Sequence, residues 1–152
     1  MKRYFFYLCA VVFLFACVGG EVLAQNVSPD GLKLENFMVT QGSGFGIKVN
    51  FKLRNTLGRD ITFDSNGVFV GCRWNSTTDK NNRDFGHTKR NGVLRAGETL
   101  EFVAEKRLDA AGEWRFWPAY HLNGHYGPFR WNEKVITLTE TPPKPKKPKS
   151  GR

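Results

Sequence analysis

Cysteine is scarce in this chain of 152 residues. Cys9 and Cys17 fall in an apolar N-terminal stretch, and only Cys72 lies beyond it. Removal of that stretch on export would leave one thiol and no internal disulfide, so stability has to come from burial of apolar surface. A single cysteine among strand-forming residues reads as a small buried apolar group, with cross-linking of two copies as the alternative. Helical periodicity is also missing. No segment repeats apolar residues every 3.6 positions between caps, which excludes an α/β fold with a parallel sheet. No internal repeat is evident. A basic face is lacking too: residues 25–140 hold 16 Lys and Arg against 13 Asp and Glu, a balance of +3. A surface built for specific nucleic-acid binding would need more than that.

The two ends of the chain carry the rest of the charge. Lys2 and Arg3 precede an apolar run from Tyr4 to Val18, and Val22-Leu23-Ala24 follows after Gly19, Gly20 and Glu21. This is the form of a secretory signal peptide cleaved after Ala24. The run is short for a membrane span, so no transmembrane segment is expected in the processed chain. Leu14-Phe15-Ala16-Cys17 has the outline of a lipobox, but Phe15 is bulky where such motifs carry a small residue. The expected location is therefore secreted or periplasmic, with lipid anchoring at Cys17 as the lesser alternative. Residues 141–152, TPPKPKKPKSGR, contain four prolines and five positive charges with no acid. Such a segment cannot pack, and its Lys144, Lys146, Lys147 and Lys149 suit attraction to anionic polymers or headgroups.

Between these ends the chain reads as strands. Ile47 to Arg54 alternates without a fault, placing Ile47, Val49, Phe51 and Leu53 on one face and a largely cationic set on the other. Weaker strands are expected over Leu32–Val39, Asp60–Phe63 and Val68–Trp74. Asn75 to Arg83, polar and without an aliphatic residue, reads as a loop. Thr99–Leu108, with Leu100 and Phe102 inward, is expected as a strand despite several helix-tolerant residues. Glu113–Leu122 and Phe129–Thr139 follow after turns rich in glycine. About seven short strands with regular turn signals imply an all-β, antiparallel two-sheet sandwich.

The succession L-R-A-G-E-T-L-E-F, then L-D-A-A-G-E-W-R-F-W, then a final β run, resembles the second half of bacterial immunoglobulin-like modules of the cell-adhesion-related type. Asp109, Gly112 and Trp114 stand at the corner positions of that pattern, with Trp114 in place of the usual tyrosine. The likeness extends loosely over residues 32–139 and consists of turn chemistry and alternation. It implies an immunoglobulin-like sandwich of about seven strands that binds, spaces or adheres and does not catalyse.

Candidate chemistry is concentrated in the aromatic stretch from Glu113 to Asn132. Alternation places Trp114, Phe116, Pro118 and Tyr120 on one face of a strand, and Arg115, Trp117, Ala119 and His121 on the other. If the first face is core, Trp117 is carried toward solvent beside Arg115 and His121, with Tyr126 and Trp131 close in sequence. Those five residues are the expected binding set, since rings with polar handles suit sugar stacking or protein docking. The competing reading buries most of the rings.

Other chemistries have less behind them. His121 and His125 flank Asn123-Gly124 and could converge on a metal, but no third ligand stands nearby. Asp79, Asn81 and Asp84 hint at calcium but are interleaved with Lys80 and Arg83. Cys72 with His87 or His121 lacks the local signatures of thiol enzymes. Asn26-Val27-Ser28 and Asn75-Ser76-Thr77 match a glycosylation sequon relevant only in a eukaryotic secretory route. No cofactor and no metal is expected. The expected function is an exported, non-catalytic binding or adhesion module with a polysaccharide or protein partner in the envelope or outside the cell. The alternatives are an accessory subunit of a larger secreted or envelope complex, or a small metal- or thiol-dependent enzyme.

Overall fold

The computed structural model describes residues 26–74 and 82–139. The expected leader, Asp79, Asn81, the Asn75 sequon and the basic tail lie outside the described residues. Among the described residues, ten strands run in the order β1 (Leu32–Gln41), β2 (Gly46–Asn55), β3 (Ile61–Thr62), β4 (Val68–Trp74), β5 (Arg83–Thr88), β6 (Val93–Leu94), β7 (Thr99–Arg107), β8 (Gly112–Leu122), β9 (His125–Pro128) and β10 (Lys134–Leu138). All pairings are antiparallel. The chain is all-β, as its alternation requires, and among the described residues no helix is long and apolar enough to cross a membrane.

Two sheets share one interior. The first has the order β1-β2-β7, the second β10-β8-β4-β5, and β3 pairs with β6 at one side. Strand β9 extends the β8 edge beyond β10, pairing Ala119 to Leu122 while β10 pairs Gly112 to Phe116. Inward residues of both sheets join in one cluster: Leu34, Val49 and Phe51 from the first meet Val70, Phe85 and Phe116 from the second. Phe51 stacks on Phe102 across β2 and β7, with centroids 4.7 Å apart. The faultless alternation of β2 is read out as expected, with Ile47, Val49, Phe51 and Leu53 all buried. In β1 the register shifts between Glu35 and Met38, a bulge in which Asn36 adopts φ 54°. The bulge returns Phe37 to the interior after Leu34, which strict alternation would not do.

Four segments depart from the sequence expectation. Arg83–Thr88 has a single buried apolar side chain, Phe85, so its period is invisible, yet it pairs along β4. His125–Pro128, expected as loop, completes a hairpin with β8, and Val93–Leu94 is too short to leave a pattern. Phe129–Thr139, expected as one strand, opens instead with a 3₁₀ turn over Arg130–Asn132.

Two polar devices hold the corners. At the corner before β8, Trp114 Nε1–H donates to the Ala110 carbonyl at 3.0 Å, so the buried indole ties down its own turn. Asn55, fully buried, donates to the carbonyls of Arg59, Leu94 and Arg95 at 2.8, 3.1 and 3.1 Å, and its Oδ1 accepts from Leu57 N at 2.9 Å. One side chain thus satisfies backbone groups from two separate turns. Asn55→Ala would orphan them, and we expect a loss of about 3 kcal/mol in a urea titration, the upper range for unsatisfied buried groups. Asn55→Ala at wild-type stability would show that water replaces the amide there.

Candidate functional site

The outer face of the second sheet carries the candidate site. Strand β8 alternates as the sequence requires: Trp114, Phe116 and Tyr120 enter the shared core, while Arg115, Trp117, Ala119 and His121 point the other way. The expectation that Trp117 is displayed to solvent is corrected, because Trp117 is only 1% exposed. Its ring lies flat over β4, where Gly71 stands directly opposite. A Cβ at Gly71 would come within 2.5 Å of Trp117 Cε2, so only glycine leaves room for the indole. From above, the Arg130 guanidinium covers the ring at 3.5 Å from its centroid. At the edge, Trp117 Nε1–H donates to Tyr126 Oη at 2.8 Å. The indole is the floor of the site, not its contact surface.

Further along the same face, rings extend the platform. Phe69 of β4 stacks with His121 at 5.4 Å and with Tyr126 at 6.0 Å between centroids, and His121 meets Tyr126 at 5.5 Å. His87 on β5 lies against Phe69 at 5.7 Å, pairs with Asp84 and has its Nδ1 3.2 Å from the Asn66 carbonyl. Toward the other end stands a charged cluster. Arg115 donates to Glu133 Oε1 at 2.9 Å and to Glu113 Oε1 at 2.7 Å, and those hydrogen bonds raise the guanidinium pKa above its usual value. Arg130 Nη1 reaches Glu133 Oε2 at 3.3 Å.

Of the five expected binding residues, Arg115, Trp117, His121 and Tyr126 therefore share one face. Trp131 sits on the 3₁₀ turn, edge-on to Phe129 at 5.6 Å, and is 49% exposed. Sequence reasoning missed Phe69 and Arg130. Gly71, an isolated glycine inside a strand, was the available signal for a close approach at this point. Nothing local marks Arg130, because its partner Trp117 lies thirteen positions away and is reached only through the β9 hairpin.

The histidines do not converge. Asn123 and Gly124 take φ of 52° and 75°, the two-residue turn their sequence favours, and the hairpin pairs His121 with Tyr126 but Leu122 with His125. His121 and His125 thus point to opposite faces of the hairpin. Among the described residues no group of three His, Cys, Asp or Glu is arranged to hold a metal. Cys72 faces the core, away from His87 and His121 on the outer face, and burial pushes its thiol up to about 12.

Two clefts lie away from the outer-face rings. One of about 680 Å³ is lined by Lys89, Arg95 and Glu98, and another of about 430 Å³ by Asp30, Arg59, Asp60 and Asn123.

No family model matches the chain, and no curated protein matches it. Among solved structures it is similar to an alkylpurine DNA glycosylase of Pseudomonas fluorescens bound to DNA containing an abasic-site analogue. The identity is 18% and the TM-score 0.53, over 71% of this chain and 30% of that one. It is also similar to a β-glucosidase involved in saponin metabolism from intestinal bacteria, at 12% identity and TM-score 0.51, over 74% of this chain and 17% of that one. This chain thus spans less than a third of the length of either. At such identities the likeness concerns the fold alone.

Two outcomes follow for the site. Gly71→Ala pushes a methyl into the Trp117 ring, and we expect a loss of about 2 kcal/mol with a changed near-ultraviolet dichroism of the indole; an unchanged spectrum and stability would show that the ring does not rest there. Cys72 in the folded chain stays unreactive to a thiol reagent at about pH 8 and reacts on unfolding. Because its folded pKa lies above the unfolded value, its contribution to stability is intact below about pH 9 and is lost as the pH rises toward 12.

Proposed function

We propose that this chain is an exported, non-catalytic binding module of the envelope or extracellular space, and that it recognises polysaccharide through the outer face of the β4-β8-β9 sheet. The observation that carries this reading is the packed row of rings on that face, with Trp117 as floor and Tyr126, His121 and Phe69 beside it. A core ring needs no company on the solvent side of a sheet. Rings with polar handles present apolar area to sugar C–H faces and hydrogen bonds to hydroxyls. An open face suits an extended polymer, whereas small ligands favour enclosed clefts.

The fold fits such a role. The seven longer strands β1, β2, β7, β5, β4, β8 and β10 support an immunoglobulin-like sandwich, with β3, β6 and β9 as additions. The Trp114 indole bond at the corner takes the place of the tyrosine hydroxyl. A unit of this form occurs as a part of two larger proteins of unrelated activity, which supports a module whose function is set by surface residues and not by the fold. In this reading the tail lysines, Lys144, Lys146, Lys147 and Lys149, add salt-sensitive attraction to anionic surfaces.

A second reading is favoured by one observation. Trp131 and Val135, each 49% exposed, offer apolar area suited to a protein partner, as an accessory subunit would need. Co-sedimentation with cell-envelope polysaccharide separates the two. We expect binding that survives moderate salt and truncation at Glu140, falls about tenfold in Tyr126→Ala with Phe69→Ala, and is indifferent to Trp131→Ala. Binding lost on truncation alone, or lost only in Trp131→Ala, would overturn the assignment to the ring face.

A further inference from the structure

The Arg130 guanidinium lies 3.5 Å over the Trp117 ring and spends only one contact on its neighbours, the 3.3 Å bond from Nη1 to Glu133. A guanidinium has five N–H donors in one plane. Its central carbon stands over the ring face, and apart from the bond to Glu133 its donors have no partner among the described residues. The side chain is 37% exposed, so those donors are open to a ligand. Beside it, Tyr126 Oη already accepts the Trp117 indole N–H at 2.8 Å, which leaves the phenol's own O–H free to donate outward. Two donors of different kinds are therefore tied to the same ring, one over its face and one at its edge.

We propose that Arg130 and Tyr126 form a receptor for a carboxylate, and that the polysaccharide bound on this face is acidic, bearing uronic-acid-type sugars. The inference rests on the reading of this face as a polysaccharide surface and names the chemistry of its ligand. A carboxylate matches a planar fork held in one orientation, and the ordering cost is already met by the stacking on Trp117. The local charge permits an anion. Glu113 and Glu133 are both bonded to Arg115, and Asp84 is paired with His87. Arg73, directly opposite Arg115 on β4, adds a further cation whose Nε has no partner among the described residues. Three arginines thus stand on this face with Glu113, Glu133 and Asp84, so it holds no excess of carboxylates. The rings of Phe69 and His121 continue from Tyr126 and give the sugar backbone its apolar support, which a flexible acidic peptide does not require.

Calorimetry of the purified protein at moderate salt tests this with three probes: polygalacturonate, its fully methyl-esterified form and poly-glutamate. We expect polygalacturonate to bind at least about tenfold more tightly than either of the others. Arg130→Lys keeps the charge, and with it every tail contribution, but loses the fork, and we expect about a tenfold loss on polygalacturonate alone. Tyr126→Phe should lower the same affinity several-fold. Equal binding of the acid and the ester would overturn the carboxylate receptor while leaving the polysaccharide surface in place, and an unchanged Arg130→Lys would do the same. Binding of neither polysaccharide would overturn the surface itself. Poly-glutamate bound as tightly as polygalacturonate would overturn the choice of sugar.

Discussion

Strand β8 carries large rings on both of its faces, and two of them lie across a glycine on a neighbouring strand. Trp117 covers Gly71 of β4 on the outer side, and Tyr120 covers Gly127 of β9 on the inner side, each pair directly opposite in register. At either position a methyl group would collide with the ring. The exchange is simple: a glycine gives up its own packing, and an aromatic side chain of much larger area is buried in the space. Each such burial contributes about 2–3 kcal/mol, against less than about 1 kcal/mol for glycine in a strand. Because β8 pairs with β4, β9 and β10, these contacts fix the strand around which the second sheet is assembled. Tyr120 also donates to Asp30 Oδ2 at 2.5 Å, tying β8 to the segment that leads into β1, and burial together with that bond raises its pKa.

The same packing shapes the solvent side. A tryptophan laid flat on a sheet offers its π-face outward, and a guanidinium is the side chain best matched to it, being planar and weakly hydrated. Arg130 is delivered there by a tight hairpin and a 3₁₀ turn, which together bring residues 126 and 130 back over residue 117. The chain so brings a cation and a phenol to one place on the sheet face.

Much of the interior was legible in the sequence. Ile47 to Arg54 alternates perfectly, and the two faces of Glu113–Leu122 fall as their parity dictates, even across Pro118, which keeps its place on the inward side. What alternation cannot say is how deep a face lies. Parity placed Trp117 on the outer side, but its burial depends on Tyr126, from the returning strand of its own hairpin, and on Arg130, from the 3₁₀ turn that follows. The β5 strand was illegible for a related reason: an edge strand needs to bury only Phe85, and one buried residue makes no period. The two-histidine idea failed on register, since the Asn123-Gly124 turn pairs His121 with Tyr126 and sends His125 to the other face.

The proposed function makes the outer face of the second sheet the recognition surface. Amide and indole N–H shifts of isotope-labelled protein, followed while an envelope polysaccharide is titrated in, test it most directly. We expect the Trp117 indole signal and the amides of Phe69, His121, Tyr126 and Arg130 to move together and saturate together. Shifts confined to the opposite sheet, where Met38 and Val103 are exposed, or to the lysine-rich tail, would contradict it.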